Sequence, residues 1–391
     1  MKTTKLTNMD FEKNNEYINI IQKKFSDQGY TLTNTSLIED SDIFTRKSGV
    51  KLSSKLYSFI DPSGRSVSLR PEFTTSIIKN FLKKYETSDL PLKFQYCGPV
   101  FAYNPNELDG LEQRTQIGVE LLGENSLNID ADIISMSVKA LEIIGIDKIE
   151  INIGNLELFN KILSVFELST PAKSLILNNI HQIQNNKITT EEIISKAKRL
   201  GILNTEKKEY KNITFKETKK YDSSGAILKE NLNSSVGQRS ADDIIERLFK
   251  KRKFSDNIQT FKDAISLTKS LIEINGPPEK TLDKIRSILS NYSIPEKLLL
   301  PLEEISNLLG KSINPINKIH LVPAHIRGLE YYTGIIFDIN YKNKSESIHL
   351  GGGGRYDDLV QIFGGKKKVP ALGFAYSLEN ILKSLEIINV K

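Results

Sequence analysis

The sequence predicts an α+β protein in which a mainly antiparallel sheet is flanked by helices and interrupted by a helical insertion. Two observations carry this prediction. Near both ends of the chain, short segments rich in strand-forming residues are separated by turn residues. From about residue 155 to 312, helical apolar repeats instead lie within Lys- and Asn-rich sequence. We therefore assign residues 1–154 and 313–391 to one domain and residues 155–312 to a mainly helical insertion or second domain.

The chain begins with an amphipathic helix that ends before Gly29. Its apolar residues fall at helical spacing: Phe11, Ile18, Ile21 and Phe25. A hairpin follows, because "LYSFI" (56–60) and "RSVSL" (65–69) flank a turn-forming Asp-Pro-Ser-Gly sequence. The next segment, "PEFTTSIIKNFLKKY", predicts a helix with proline in its first turn.

The segments after this helix predict the body of the sheet. "LKFQYC" and "VFAYN" predict two short strands joined at a Gly98-Pro99 corner, and "EQRTQIGVELLG" predicts another strand. A helix is expected through "DADIISMSVKALEIIG". After the insertion, "IHLVP", "YYTGIIFDIN" and "SIHL" return to strands, and "SLENILKSLEII" predicts a closing helix.

Composition narrows the class of protein. The 391 residues are 39% hydrophobic and 26% charged, which is enough to bury a core. No apolar run approaches the roughly 20 residues needed to span a bilayer, and the start has no apolar signal core, so we expect a cytoplasmic protein without a membrane partner. A single cysteine excludes an internal disulfide and zinc sites that need paired thiolates, and we expect no metal or cofactor.

Two local features resemble binding motifs, one for nucleic acid and one for phosphate, but the details of their sequence do not favour binding. The basic run "RLFKKRKF" (247–254) is typical of a solvated helix face rather than a nucleic-acid patch. The glycines at 351–354 lack the Lys-Ser/Thr ending of a phosphate-binding loop. They predict a strand ending in a tight passage, where backbone approaches a ligand or another strand closely.

Six motifs resemble the histidyl-tRNA synthetase family and its paralogues in order and approximate spacing. They are "LYSFIDPSGRSVSLRPEFT", "GPVFAYN", "QIGVELLG", "IRGLEYYTGIIFDI", "GGGGRYDDL" and "ALGFAYSLENIL". The resemblance covers roughly residues 10–150 and 315–388, and it implies a class II synthetase-type fold. Such an enzyme holds ATP phosphates with arginines, whose planar fork bonds two phosphate oxygens at once.

The chain departs from the family at the ATP positions. Ala102 stands where the family has the arginine of its second motif, and Asn380 stands where it has the arginine of its last helix. Asn104 replaces an acidic residue and Glu112 a basic one. The resemblance also implies a dimer, although Ser36 replaces the proline of the first motif. A tRNA-charging member should carry a further domain of roughly 100 residues, whereas this chain finishes just after its final helix.

The positions that match the family's histidine pocket are retained: Glu72, Thr74, Gln116, Glu120, Arg327 and Tyr332. By resemblance, the first three would surround the ammonium group, Arg327 the carboxylate, and Glu120 with Tyr332 the imidazole. Each has a structural alternative when considered alone. Glu120 could be an ion-pair partner, Tyr332 a core residue, and Arg327 the partner of Glu330 or Asp338. Cys97 is expected to be a small buried hydrophobic residue.

This combination resembles the regulatory-subunit family of ATP phosphoribosyltransferase. The resemblance implies a non-catalytic chain that binds L-histidine, activates a short-form catalytic subunit at the first step of histidine biosynthesis, and helps confer feedback inhibition, without tRNA. Two alternatives stay open. One is a residual enzyme that charges tRNA or activates histidine with help from another chain, and the other is a stand-alone histidine- or tRNA-binding module.

Overall fold

Strands form two sheets in the part of the chain that the computed structural model describes, residues 8–45, 55–103, 111–203, 256–325, 331–343 and 346–389. The strands are β1 (Thr31–Leu32), β2 (Ile38–Asp40), β3 (Ser58–Ile60), β4 (Ser66–Leu69), β5 (Leu92–Tyr103), β6 (Leu111–Leu122), β7 (Ile149–Asn155), β8 (Lys318–Leu321), β9 (Ile335–Lys342), β10 (Ser347–Arg355) and β11 (Ala371–Ser377). The large sheet has the order β1-β5-β6-β11-β10-β9-β7-β8, and the small sheet has the order β2-β4-β3. Among the described strands of the large sheet, only the β1–β5 and β7–β8 pairs are parallel. The predicted mainly antiparallel sheet of an α+β fold is confirmed.

Helices alternate with the strands along the chain, and several of them lie in the sequence between β7 and β8. They are α1 (Asn8–Ser26), α2 (Asp42–Thr45), α3 (Thr74–Lys84), α4 (Leu127–Ile143), α5 (Leu156–Ser164), α6 (Thr170–Gln184), α7 (Thr190–Arg199), α8 (Ile258–Ile272), α9 (Pro278–Asn291), α10 (Leu300–Ser312), α11 (Leu359–Ile362) and α12 (Leu378–Asn389), with a 3-10 turn at Glu296–Leu299. Within the described ranges, no helix is both long enough and apolar enough to cross a bilayer.

The chain divides into two compact units, Met1–Lys161 with Leu271–Lys391, and Ile162–Ser270. In the second unit, Ser169 caps α6 and its hydroxyl donates to Asp256 at 2.5 Å. The basic run at 247–254 lies outside the described residues. The domain limits expected from the sequence, with residues 155–312 as the insertion, stay a prediction.

In the first unit, α1 and α4 cover one face of the large sheet. The ring of Phe25 on α1 packs edge-on against Phe374 of β11, with centroids 5.7 Å apart. Two residues further along β11, the hydroxyl of Tyr376 donates to the carbonyl of Ser137 on α4. Because side chains alternate along a strand, Gly373 and Ala375 face the opposite side of the sheet.

Strand β5 is continuous, so the predicted corner at Gly98-Pro99 is wrong. Both residues stay in register with β6, Gly98 opposite Gln116 and Pro99 opposite Thr115. Proline is tolerated because β1 pairs with β5 only near Phe94, so that no described strand pairs with Pro99 on the edge of β5 that faces away from β6.

Two further local predictions, for the proline at the start of α3 and for the glycines at 351–354, are correct in part. Helix α3 begins at Thr74, so Pro71 precedes the helix instead of lying in its first turn. The glycines at 351–354 approach a neighbouring strand closely, as predicted, because a Cβ at Gly353 would lie 2.0 Å from the carbonyl oxygen of Gly373. The strand does not end there, however, since β10 runs through the glycines to Arg355.

Candidate functional site

The candidate site lies on the face of the large sheet that α1 and α4 leave uncovered. Gly373 faces this side and pairs in register with Glu120 of β6. Cross-strand partners share a face, so Glu120 also faces this side. Its side chain is nevertheless 1% exposed. Strand alternation therefore places one buried carboxyl group at the floor of the site.

Three hydroxyl groups from different elements contact the carboxyl group of Glu120. The hydroxyl of Thr74, at the start of α3, donates to Oε1 at 2.6 Å. The hydroxyl of Tyr96 on β5 lies 3.3 Å from the same oxygen. The hydroxyl of Tyr356, directly after β10, donates to Oε2. These contacts fix the position of Glu120 from three sides and satisfy both of its oxygens.

The environment of Glu120 favours its neutral form. Burial raises the pKa of Glu120 to about 8, and the nearby charge of Glu72 also raises it. The hydrogen bonds from Thr74, Tyr356 and Tyr96 act in the opposite direction, because they stabilise the carboxylate.

Glu72 is a second buried carboxyl group and has a structural role of its own. Its oxygens accept the backbone N–H of Thr75 at 3.1 and 3.2 Å, which caps the start of α3. Burial raises the pKa of Glu72, and the hydrogen bonds from Thr75 and Thr74 partly offset this effect. Two acidic groups in one buried region favour a ligand that brings positive charge or hydrogen-bond donors.

Aromatic rings enclose the two acidic groups. Phe73 stacks on Tyr96 with centroids 4.4 Å apart. Tyr331 lies 5.8 Å from Tyr356 and 5.0 Å from Tyr332, measured between ring centroids. These rings belong to the buried core around the two acidic groups, so they keep water away from the carboxyl groups.

The structure brings several of the predicted site residues together. Thr74 contacts Glu120 directly, and Glu72 is close enough to influence the pKa of Glu120. Tyr332 lies beside Gly354, since a Cβ there would be 2.9 Å from Cδ1 of its ring. Gly354 in turn pairs with Gly373, the residue opposite Glu120. These four predicted residues therefore line one region of the sheet.

The remaining two predicted residues are placed differently. Gln116 points to the same face of β6 as Glu120 but precedes it by four residues, roughly 13 Å along the strand. Its side-chain oxygen Oε1 is buried and has no hydrogen-bond partner among the described residues, so it can accept a bond from a ligand. Arg327 falls outside the described residues.

Two residues of the site were missed from the sequence. The motif "GGGGRYDDL" gives Tyr356 no role, and the strand pattern around Tyr96 predicts only that it lies in a strand. A signal existed for Tyr96, because it lies two residues after Phe94 and so shares the site face of β5, where it pairs with Gly118. For Tyr356, the signal is its position directly after a glycine strand that approaches its neighbour closely.

The positions that would hold ATP in the family carry no arginine here. Ala102 lies half-buried near the end of β5. The amide of Asn380, on α12, donates to the carbonyl oxygen of His349 at 2.7 Å. Next to it, Glu379 accepts the backbone N–H of Thr115 at 2.7 Å. Asn104 lies outside the described residues. These neutral and acidic groups offer a phosphate chain no cation at these positions.

Three further groups bear on the sequence predictions. Asp338, one suggested partner of Arg327, lies 2.9 Å from Nε2 of both His325 and His349. Cys97 is half-buried, and burial raises the pKa of its thiol to about 11, so it is not a reactive thiolate. Among the described residues, no group of three or more His, Cys, Asp or Glu side chains is arranged to hold a metal ion.

Sequence comparison finds relatives over most of the chain. The family model for histidyl-tRNA synthetase matches residues 3–203 and 228–381. A histidine–tRNA ligase of Methanococcus vannielii is 26% identical over 376 residues, which are 95% of this chain and 73% of that protein. The histidine–tRNA ligase of Sulfurisphaera tokodaii is 30% identical over 359 residues, or 92% of this chain and 68% of that protein.

Structural comparison finds the same fold in proteins of lower identity. An ATP phosphoribosyltransferase regulatory subunit/histidyl-tRNA synthetase from Bacillus halodurans matches with a TM-score of 0.63 at 16% identity, covering 97% of this chain and 80% of the other. A histidine–tRNA ligase subunit from Alicyclobacillus acidocaldarius matches with a TM-score of 0.58 at 19% identity, covering 98% of this chain and 95% of the other. At these identities the likeness shows the fold alone.

Proposed function

Because the chain belongs to the histidyl-tRNA synthetase family, we propose that it is a non-catalytic regulatory subunit of ATP phosphoribosyltransferase, the enzyme of the first step of L-histidine biosynthesis. In this proposal the chain activates a short-form catalytic subunit and helps confer feedback inhibition by histidine. It acts in the cytoplasm, self-associates as a dimer and binds no tRNA. The printed name of the Bacillus halodurans neighbour supports the assignment, since it includes this regulatory role.

The chemistry of the site supports histidine as the ligand. Glu120 provides a polar partner for an imidazole ring, and Tyr332, whose ring lies beside Gly354 on the same face of the sheet, provides a flat surface. Glu72 and the unpartnered oxygen of Gln116 can accept bonds from an ammonium group. Arg327 is the residue that we propose for the carboxylate. Histidine is a ligand that needs all three kinds of partner.

The observation that carries the regulatory role is the pair Ala102 and Asn380 at the family's ATP-binding arginine positions. Each charge-assisted contact to phosphate contributes about 1.5–3 kcal/mol. Losing two such contacts removes the groups that stabilise developing charge when an adenylate forms. The side chain of Asn380 is instead bonded within the protein, to His349. A site with these residues is suited to bind histidine and not to activate it.

A second candidate function is a histidine-activating ligase, which the names of the curated relatives favour. It would use the same amino-acid site but would also need ATP at the positions of Ala102 and Asn380. The two functions make opposite predictions for adenylate formation and for activation of a phosphoribosyltransferase. They can therefore be separated in one set of assays.

A regulator that converts nothing acts through the coupling free energy between its own site and the catalytic site of its partner. Typical couplings of about 1–3 kcal/mol change affinity roughly 5- to 150-fold. The coupling must be reciprocal for binding, so if histidine weakens the binding of substrate to the complex, substrate weakens the binding of histidine equally.

The test is to mix the full chain with a short-form ATP phosphoribosyltransferase catalytic subunit. We expect the two chains to co-elute as a complex, the phosphoribosyltransferase activity to rise, and L-histidine to reverse the rise. No complex and no change in activity would contradict the proposal. Histidine-dependent pyrophosphate exchange by the chain alone would favour the ligase.

Variants of the histidine site should separate assembly from sensing. Glu72→Gln and Arg327→Ala should leave the complex assembled and active while raising the histidine concentration needed for inhibition. Glutamine is preferred to alanine at residue 72, because the Glu72 side chain also caps α3. Arg199→Ala, at an exposed position at the end of α7, is the matched control and should inhibit like the parent. If both site variants stay as sensitive as the parent, the sensor lies on the catalytic subunit.

A further inference from the structure

We propose that the buried guanidinium group of Arg70 binds an oxyanion beside Gln116, on the face of the large sheet that α1 and α4 leave uncovered. The oxyanion is either the carboxylate of a bound amino acid or a free phosphate. If it is the carboxylate of bound histidine, the inference rests on the proposed function and adds a binding residue to it. If it is a phosphate, the inference is independent of that function.

Arg70 is a buried cation whose hydrogen-bond partners among the described residues are all neutral. The residue is only 2% exposed. Its Nε donates to the carbonyl oxygen of Pro99 at 2.9 Å. Its Nη1 donates to the carbonyl oxygen of Thr35 at 2.8 Å and to the hydroxyl of the same residue at 3.1 Å. Nη2 has no hydrogen-bond partner in the described part of the chain, so its two N–H donors remain open.

A second buried arginine shows how this fold compensates such a charge internally. Arg355 is 5% exposed and pairs with two carboxylates, those of Asp130 and Asp357. Arg70 has no such pair among the described residues. The acidic residue whose charge acts on Arg70 is Glu39, and its carboxylate is already paired with Lys79 at 2.7 Å. Because a buried charge is costly unless it is paired, an anionic ligand would complete the surroundings of Arg70.

The guanidinium group of Arg70 lies over Gly98, whose lack of a side chain makes room for it. A Cβ at Gly98 would lie 2.7 Å from Nη2 of Arg70 and 3.2 Å from Cζ of Phe73. Gly98 follows Tyr96 by two residues and so shares the site face of β5. Gln116 is directly opposite Gly98 on β6, and its buried Oε1 has no partner among the described residues. Gly98 and Gln116 are both half-buried, so this row of the sheet is open to a small ligand.

The two open groups are of opposite kinds. Nη2 of Arg70 donates hydrogen bonds and carries positive charge, whereas Oε1 of Gln116 accepts hydrogen bonds. An α-amino acid presents both matching groups, a carboxylate and an ammonium, on one carbon atom. A phosphate matches Arg70 alone, because its oxygens also bind guanidinium groups. Two measurements on the full chain distinguish these sources of the oxyanion.

The first measurement compares L-histidine with histidinol, which has a hydroxymethyl group in place of the carboxylate, by calorimetry. The parent should prefer histidine, and Arg70→Met should reduce this preference at least about tenfold, as expected for a lost charge-assisted hydrogen bond. A loss of affinity that the two ligands share cancels in the ratio. Lys79→Met is the matched control, because it removes a cation that is already paired with Glu39 and Asp40. It should keep the parent's preference.

The second measurement titrates inorganic phosphate into the same chains at constant ionic strength. Phosphate binding that Arg70→Met abolishes, with an unchanged preference for histidine over histidinol, would identify phosphate as the oxyanion. If neither measurement depends on Arg70, the inference is wrong and this residue only braces Thr35 and Pro99. If histidine does not bind the chain at all, the proposed function fails and the phosphate titration alone decides this inference.

Gly98→Ala tests the same subsite without removing the cation, and it decides the question if Arg70→Met does not fold. Gly98 has no positive φ angle, so alanine fits the backbone. Its Cβ would nevertheless displace Nη2 of Arg70, which is only 2.7 Å from that position. We expect the Arg70-dependent binding to weaken at least about threefold in this variant. Folded Gly98→Ala with parent-like binding of histidine, histidinol and phosphate would overturn the inference.

Discussion

Gly373 and Glu120 lie opposite each other on neighbouring strands, so close that a Cβ at residue 373 would lie 1.7 Å from Oε2 of the carboxyl group. The same Cβ would lie 2.6 Å from the carbonyl oxygen of Val119, so neither the side chain nor the neighbouring backbone leaves room for it. Gly373 has no positive φ angle, and the glycine is therefore required by space and not by backbone conformation. The absence of a side chain at residue 373 is what admits the carboxyl group to the floor of the site.

We expect Gly373→Ala to displace Glu120 from its contacts with Thr74 and Tyr356. Overpacking of a buried site costs typically about 1–3 kcal/mol, so the free energy of unfolding should fall by that amount. Histidine affinity should fall with it, as measured by calorimetry on protein shown to be folded.

Gly310→Ala is the matched control for this substitution. Gly310 lies in α10 with open space around the position of a Cβ. Alanine there should leave histidine binding unchanged and stabilise the helix by up to about 1 kcal/mol. Parent-like affinity in Gly373→Ala would mean that Glu120 can move without loss, and hence that its position is not critical for binding.

The stability of the ligand-free protein should depend on pH through Glu120. Burial raises the pKa of this group to about 8 in the folded state, whereas an unfolded chain has the ordinary value of about 4.3. Over this interval the folded state binds more protons than the unfolded state. The stability contributed by Glu120 is therefore fully present below about pH 4.3 and is lost as the pH rises through about 8.

Urea denaturation of the parent and of Glu120→Gln at several pH values measures this effect. Removing the titrating group should make the decline in unfolding free energy between pH 6 and 8 shallower by about 1.4 kcal/mol per pH unit. Glu273→Gln, where the carboxylate is exposed, should keep the parent's slope. Equal slopes in parent and Glu120→Gln would show that Glu120 is already ionised in the folded protein.

Local patterns were sufficient to predict most of the sheet but not the course of β5. Strand alternation and turn residues identify β3 with β4, β6 and β9 because those signals come from adjacent residues. The Gly98-Pro99 pair is normally a turn signal, and it was overridden by twelve-residue pairing of β5 with β6. That pairing depends on tertiary contacts that a local pattern does not contain.

The residues of the site also differ in whether the sequence could predict their roles. Residues such as Glu72 and Glu120 could be named from their motifs, because the family resemblance supplies them. The two tyrosines that contact Glu120 could not be assigned a role in this way. Tyr96 is 24 residues from Glu120 in sequence and Tyr356 is 236 residues away, so only the folded sheet brings their hydroxyls to one carboxyl group. The helix-capping role of Glu72 likewise depends on where α3 begins.

A buried ion pair beside the site should be important for stability. Arg355 and Asp130 are paired, with each side chain 6% exposed. Arg355 also donates to the carbonyl of Glu124 at 2.9 Å and lies directly before Tyr356, which contacts Glu120. Asp357 lies 3.1 Å from the same guanidinium, so Arg355 has two carboxylate partners. Removing one partner of a buried pair typically costs about 3–5 kcal/mol, and the remaining carboxylate reduces this loss.

Asp130→Ala should therefore lower the unfolding free energy in urea by up to about 3–5 kcal/mol, because Asp357 still faces the guanidinium. Asp283→Ala is the control, because Asp283 is 75% exposed and pairs with Arg286 at 2.8 Å on the surface. Surface pairs contribute about 0–1 kcal/mol, so this variant should be close to the parent. Equal losses in the two variants would show that burial does not strengthen the Arg355–Asp130 interaction.

The last prediction concerns the ATP side of the site. If the chain is a regulator, it should bind histidine in calorimetry and yet show no histidine-dependent pyrophosphate exchange above a no-enzyme control. A histidine–tRNA ligase assayed in parallel serves as the positive control.

The double variant Ala102→Arg with Asn380→Arg should raise the affinity for ATP at least tenfold, because each restored phosphate contact contributes about 1.5–3 kcal/mol. Ala102→Lys with Asn380→Lys is a charge-matched comparison and should gain less, since lysine lacks the planar fork that bonds two phosphate oxygens. Exchange by the parent chain would refute the regulatory role directly. The arginine variant already lacks the Asn380–His349 bond. An unchanged ATP affinity in it would show that the nucleotide region is closed by more than these two substitutions, with the Glu379–Thr115 bond as the next contact to remove.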